Sequence, residues 1–229
     1  MGFRLTNHTR PIEAGRPLFL KGHNRRHDTS LKRVFDLVVA LIAIILFAPV
    51  MIILAVAIRL QDGHRALFYQ VRFGQHGNTF HCYKLRTMVP DAAEQLEHLL
   101  ATDPDAREEW EETQKLEHDP RVTPLGQFLR KTSLDELPQL FNVVMGDMSL
   151  VGPRPIVRDE VARYAENFEY YSSLRPGITG LWQVKGRSDT SYEDRVSLDV
   201  QYAKTRSFWG DIKIMILTVP AVFSSRGAR

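Results

Sequence analysis

Between Leu37 and Ile58 the chain runs for 22 residues without a charged or strongly polar side chain. A straight helix of that length reaches roughly 33 Å at about 1.5 Å per residue, which is the thickness of a bilayer's hydrocarbon core. The run is therefore a membrane helix, a helix enclosed in a protein core, or the apolar part of a cleaved signal peptide. Core helices rarely stay apolar past about 14 residues. A signal peptide would use the basic flank and an Ala55-x-Ala57 site, but this run starts late and is too long. Membrane association is the expectation.

Topology is a separate question. Pro49 stands near the middle of the run, where it removes a backbone hydrogen bond and crowds the preceding turn. Lys32 and Arg33 precede the run, and Arg59, Arg65 and Arg72 follow it with only Asp62 between them, so the flanking charge gives no direction across a bilayer. Both ends read as cytoplasmic. A helix bent at Pro49 that enters one leaflet and returns satisfies both observations, provided the carbonyls freed near Leu46 find partners. A kinked spanning helix accounts for the proline equally well, since proline is common in such helices. On these residues the two topologies stand level.

The 229 residues carry a net charge of +3 and a pI near 9.0, values compatible with a nucleic-acid binder until the charge is located. Residues 1–33 hold eight Lys/Arg against Glu13 and Asp28, a local +6, so the remainder is −3. Residues 91–119 alone hold eleven acids against Arg107 and Lys115. A basic arm beside an apolar run meets anionic lipid, and nucleic acid is excluded as a partner. The single cysteine, Cys82, permits no intrachain disulfide, so the chain is read as facing the cytosol. A hydrophobic content of 44% with 25% charge describes one globular domain with a dependent segment, neither a disordered chain nor a polytopic bundle.

Beyond the run, ALFYQVRF and TFHCYKLRTM read as strands around Gly74–Asn78, a β-hairpin. Residues 91–117, acidic and interrupted by Asp103-Pro104, read as two exposed helices. Residues 158–172 have helical spacing. The tail FWGDIKIMILTVPAVF suits a membrane interface or a packed helix, with Phe208 and Trp209 leading it. The expected fold is α+β and predominantly helical. It comprises a basic arm over residues 1–30, a membrane-embedded helix over 31–60, and a domain over 61–229 with the hairpin and interfacial amphipathic helices.

Ser133, followed three residues later by Glu136 and an apolar run, reads as a capping box that places Asp135 and Glu136 in a helix's first turn. Acids serve the helix dipole there whatever else they do. Their company points to chemistry. Arg130 and Lys131 lie within five residues, and Arg154 stands between Pro153 and Pro155, which fix the backbone that aims its guanidinium. Paired carboxylates beside aimed arginines suit phosphoryl transfer: an acid holds a divalent ion, arginines clamp phosphate oxygens, and an aspartate can itself attack phosphorus. Lys84 and Arg86 in KLRTM belong to the same set. So does the glycine-bearing loop RPGITGLWQVKGR, with Arg175, Gln183 and Arg187.

Taken together, KRVFD with its proline-bearing apolar helix, KLRTM, SLDELPQLFNVVMGDMSLVGPRP and RPGITGLWQVKGR resemble the bacterial sugar transferases. These are the monotopic phosphoglycosyl transferases that begin exopolysaccharide, O-antigen and capsule assembly. The resemblance covers about residues 31–220 in four ordered motifs. The short length, without further N-terminal transmembrane helices, is similar to the galactosyl- or glucosyl-phosphate transferases of exopolysaccharide pathways.

The resemblance implies a two-step reaction at the bacterial inner membrane, with the catalytic domain facing the cytoplasm. Asp135 matches the aspartate that attacks the β-phosphate of a UDP-hexose, releasing UMP and keeping the sugar phosphate on its carboxylate. A polyprenyl phosphate, undecaprenyl phosphate in bacteria, then takes that group. Glu136 matches the assisting acid, and Mg²⁺ is the implied cofactor, on Asp135. Lys84, Arg86, Arg130, Arg154, Arg175, Gln183 and Arg187 fall at substrate-binding positions. A re-entrant helix bent at Pro49 is also implied, although the family's bend carries Ser-Pro where this chain has Ala48-Pro49, losing a hydroxyl partner for the freed backbone. Which hexose is used, and whether the chain forms a homo-oligomer, does not follow. The competing reading is a catalytically silent membrane scaffold working through the acidic helices; it leaves the carboxylates and arginines without a task.

Overall fold

The apolar run lies within one 33-residue helix, α1 (Ser30–Asp62), which continues through Pro49. The structure, a computed structural model, describes residues 30–113, 116–186 and 191–223. The basic arm over residues 1–29 lies outside them. The most apolar 18 residues of α1 reach a mean hydropathy of 3.3, and the middle of the helix points away from the rest of the chain, with Ile45 75% and Leu46 67% exposed. An enclosed core helix is therefore not what the sequence builds.

Both ends of α1, by contrast, are fastened to the domain. At the first, Arg33 donates to the Val143 and Val144 carbonyls at 2.7 and 3.1 Å, Lys32 pairs with Asp211 at 2.7 Å, and Asp36 accepts from the Ser149 hydroxyl at 2.8 Å. At the second, Asp62 receives both terminal nitrogens of Arg86 at 2.6 Å, and Leu54 and Ile58 pack with Leu85 and Leu129.

The hairpin forms as read. Strands β1 (Leu67–Phe73) and β2 (Thr79–Leu85) are antiparallel, and His76 and Gly77 take positive φ in the turn between them. Two exposed acidic helices follow, α2 (Ala92–Thr102) and α3 (Pro104–Thr113), and the Asp103 carboxylate caps the second by accepting from the amides of Asp105 and Ala106. The chain then forms α4 (Pro124–Thr132), α5 (Gln139–Met145), the short strand β3 (Ser149–Val151), α6 (Arg158–Tyr164) and α7 (Phe168–Ser172). Residues 158–172 are thus two helices, parted where Ala165 adopts φ 45°. The last elements are β4 (Gly177–Thr179), α8 (Leu181–Lys185), α9 (Tyr192–Thr205) and α10 (Phe208–Phe223). The tail helix packs against the domain, as one of its two readings had it. Ile214 and Asp211 are buried on one side of α10, while Trp209 on the other is 78% exposed.

The main core gathers Ala40 of α1, Phe80 and Cys82 of the hairpin, Val143 of α5, Leu150 of β3 and Tyr202 of α9. Strands β3 and β4 pair in parallel, a second small sheet that the sequence pattern did not reveal. It needs glycine. A Cβ on Gly177 would overlap the Gly152 backbone nitrogen and the Thr179 carbonyl, so only glycine lets the two strands approach. Gly177→Ala is expected to cost about 1–3 kcal/mol of stability through this overlap, read as a lowered melting midpoint of the purified protein in detergent. An unchanged midpoint would show that the strands separate freely.

Candidate active site

Ser133 precedes a short 3₁₀ turn that does carry Asp135 and Glu136, but it makes no capping-box bond, contrary to the sequence reading. It ends α4 in the left-handed conformation (φ 56°, ψ 18°), donating its amide to the carbonyls of Arg130 and Leu129, and its hydroxyl caps nothing. The reason is tertiary. Buried Leu129 at the end of α4 and buried Leu140 and Val143 in α5 must all reach apolar partners, so the chain turns sharply between the two helices. Asp135 and Glu136 lie in the single 3₁₀ turn at that corner, and Leu137 and Pro138 carry helical backbone onward into α5.

Lys84 reaches this turn from β2. Its ammonium lies 2.7 Å from Glu136 Oε1 and 3.5 Å from Asp135 Oδ2. The strand is held in place by fully buried Asn142 of α5, whose Oδ1 accepts from the Tyr83 amide at 3.0 Å while its Nδ2 donates to the His81 carbonyl at 2.7 Å. Asn142 thus behaves as a stretch of neighbouring strand, and it fixes the lysine relative to the acids. Arg130 adds a cation within electrostatic reach of Asp135, its Nε donating to the Thr87 hydroxyl at 3.0 Å.

Environment separates the two carboxyls. Burial raises Asp135, which is only 7% exposed, above its ordinary 3.8, and Glu136 beside it pushes the same way against Lys84 and Arg130. Burial would raise Glu136 too, but Lys84, Arg154 and Arg72 outweigh it and hold that carboxyl at about 2. One acid is firmly ionised, while the other is the more basic carboxylate of the pair.

Arg154 stands in a backbone frame tied down from several sides. Gly177 donates to the Pro153 carbonyl at 2.8 Å, Phe73 to that of Ile156 at 3.0 Å, and Arg72 to that of Pro155 at 3.0 Å. The shallow cleft beside it is lined by Arg72, Lys84, Glu136, Gln139, Arg154 and Gln183 among others. Lys84, Arg154 and Gln183 are thereby brought together as expected, with Glu136 among them. Arg86 is spent on Asp62 and on the Arg65 carbonyl, at 2.9 Å, away from this cleft. Arg175 donates to the Gly146 carbonyl at 3.0 Å and borders a different recess, shared with Lys32 and Arg206. Arg187 lies outside the described residues.

Two lining residues escaped the sequence reading, Gln139 and Arg72. Arg72 counted there only as membrane-flanking charge. A signal existed: the hairpin register pairs Arg72 with Phe80 and Phe68 with Lys84, and alternation along the strands puts Arg72 and Lys84 on one face. As to metal, among the described residues no three His, Cys, Asp or Glu side chains gather into a ligand set. Mg²⁺ asks for less, since one or two carboxylates with phosphate oxygens and water complete its shell. Asp135 and Glu136 fit that smaller demand.

The chain has well-marked relatives. It is 50% identical over 204 residues to the undecaprenyl-phosphate galactose phosphotransferase of Salmonella typhimurium, covering 89% of this chain and 43% of that protein. It is 46% identical over 197 residues to the exopolysaccharide production protein ExoY of Rhizobium meliloti, covering 86% and 87%. It is also 40% identical over 205 residues to the UDP-glucose:undecaprenyl-phosphate glucose-1-phosphate transferase of Caulobacter vibrioides, covering 86% and 71%. The chain therefore spans less than half the length of the Salmonella relative. The profile of the bacterial sugar transferase family matches residues 27–225, a stretch that contains the acidic turn, the hairpin and the whole cleft, and the chain belongs to that family.

Proposed function

We propose that this chain transfers galactose- or glucose-1-phosphate from a UDP-sugar to undecaprenyl phosphate, releasing UMP, through a covalent intermediate on Asp135, as the first membrane step of exopolysaccharide synthesis. The observation that carries the reading is the pair of buried Asp135 and half-buried Glu136 with Lys84 between their carboxylates and Arg154 in the adjoining cleft. Relatives named as transferases of galactose and glucose phosphates to undecaprenyl phosphate support it.

In the first step an Asp135 oxygen bonds to the β-phosphorus, and the bond from that phosphorus to the oxygen bridging it to the α-phosphate breaks, so that UMP departs with the electron pair. Lys84 and Arg130 offset the repulsion between the anionic nucleophile and the phosphate it approaches. In the second step an oxygen of undecaprenyl phosphate bonds to the same phosphorus and the Asp135 carboxylate leaves, restoring the enzyme. Glu136 stays ionised throughout and keeps Lys84 between the two acids. Mg²⁺, with Asp135 and Glu136 as its protein ligands, supplies further neutralisation of phosphate charge when bound.

The reading includes a helix that dips into the cytoplasmic leaflet of the inner membrane and returns. Lys32, Arg33 and Asp36 at one end of α1 and Asp62 at the other bind the same domain, while the apolar middle stands exposed. A spanning helix would part those ends by roughly 30 Å of hydrocarbon. In a Cys82→Ser background, the single-cysteine variants Ser30→Cys and Gly63→Cys are expected to react with an impermeant thiol reagent from the same side of sealed vesicles, and labelling from opposite sides would mean a spanning helix.

Membranes holding the protein are expected to release UMP from UDP-galactose or UDP-glucose when undecaprenyl phosphate and Mg²⁺ are present. Asp135→Asn should reduce turnover on the order of 10³-fold or more while the variant stays in the membrane. Full activity in that variant, or no UMP from either sugar, overturns the reading; a silent scaffold predicts the latter. The pH profile gives a further test. The nucleophile must be deprotonated, and burial raises Asp135, so activity should fall as pH drops through a limb lying above 3.8. Lys84 opposes that rise, so Lys84→Met should move the acid limb to higher pH as well as slowing turnover. A limb that stays in place removes Asp135 as the titrating group.

A further inference from the structure

We propose that Arg72 binds the phosphate that leaves with UMP, making it, with Arg154, the second guanidinium of a leaving-group clamp. The inference rests on the transfer reading above. Arg72 is the penultimate residue of β1 and shares a hairpin face with Lys84. Its Nη1 donates to the Pro155 carbonyl at 3.0 Å and its Nη2 to Gln70 Oε1 at 2.6 Å, so the guanidinium is braced against the frame that carries Arg154.

The charge at this end of the cleft is unbalanced. Lys84, Arg154 and Arg72 line it with Glu136, and Asp135 lies 3.5 Å from Lys84, so three cations meet two carboxylates there. Behind Arg72, Glu160 lies 3.6 Å away, but that carboxylate is shared with Arg195 at 3.2 Å, the Tyr192 hydroxyl at 3.3 Å and the Val157 amide at 2.9 Å. One carboxylate divided between two arginines leaves positive charge over in a half-buried site. Two guanidiniums lining one recess are costly unless an anion joins them. The surplus therefore calls for a multiply charged anion in the cleft, and a diphosphate meets that need with oxygens that an arginine fork grips in bidentate fashion.

Polarity along the cleft says which phosphate. Lys84 touches both acids, but of the two only Glu136 lines the cleft, together with Arg154 and Arg72. The arginines therefore stand on the cleft side of the acid pair. With the β-phosphorus at Asp135, the α-phosphate falls toward the arginines, where charge accumulates as UMP departs. Glu160 is a positioning residue, since it braces Arg72 without facing the cleft lining.

The test uses the full chain in membranes, with UMP as product inhibitor and, separately, UMP binding measured on the Asp135→Asn protein. Arg72→Met is expected to raise the UMP inhibition constant about tenfold while the KM for undecaprenyl phosphate moves by less than about twofold, because one charge-assisted fork is lost from one phosphate only. Unchanged UMP inhibition, or equal weakening toward UMP and undecaprenyl phosphate, overturns the assignment. Should Arg72→Met fail to fold, Arg72→Lys carries the test, since it keeps the charge and loses the fork: weaker UMP binding at an unchanged melting midpoint supports the clamp, and wild-type binding refutes it. If the wild-type chain releases no UMP from any UDP-hexose, the transfer reading fails. If it turns over normally and Arg72→Met binds UMP normally, only the role of Arg72 fails.

Discussion

Adjacent carboxylates withdrawn from water repel each other and lose their hydration, so Asp135 and Glu136 can share a buried turn only if cations reach them from elsewhere in the chain. The domain is arranged to deliver those cations. Lys84 arrives on β2, Arg130 on α4, Arg154 on the frame after β3, and Arg72 on β1. None of these elements is near another in sequence except the two hairpin strands. The helix that begins at the acidic turn also carries Asn142, which bonds to β2 as a neighbouring strand would and sets the distance from lysine to carboxylate.

The same constraint links the site to the apolar helix. Leu85 follows Lys84 and packs against Leu54 and Ile58 of α1, and Arg86 follows in turn and grips Asp62. Leu129, beside Arg130, joins the same cluster. The residues that hold the acids are therefore continuous with those that hold the helix, so the cleft keeps a fixed place relative to α1. The proposed transfer, between a water-soluble sugar nucleotide and a lipid phosphate, draws on that arrangement, because two such substrates meet only at an interface.

Parts of this architecture were legible from residue order. The hairpin was, because Gly74 to Asn78 is a local turn signal between alternating strands. The two acidic helices were, because Asp103-Pro104 must stop one and start the other. The capping box was misleading for an instructive reason: the Ser-x-x-Glu spacing is a local rule, but α4 already occupied the residues before Ser133 and needed a left-handed residue to end it. Arg86 looked like a phosphate ligand two residues after Lys84, yet β2 ends at Leu85, and beyond the strand the fold used Arg86 to clamp Asp62. Arg72 was hidden for the complementary reason, since two residues twelve apart share a face only once the register of the hairpin is known.

By itself, then, the sequence determined the long apolar helix, the hairpin, the acidic helices and the chemical character of the site, because each depends on composition or on contacts between near neighbours. The tertiary structure decided which cations serve the carboxylates, that one acid is held ionised while the other is raised, and that both ends of the apolar helix return to one domain. Those outcomes depend on burial and on charges brought together from distant positions, and electrostatic energy follows distance in space, which residue order does not record.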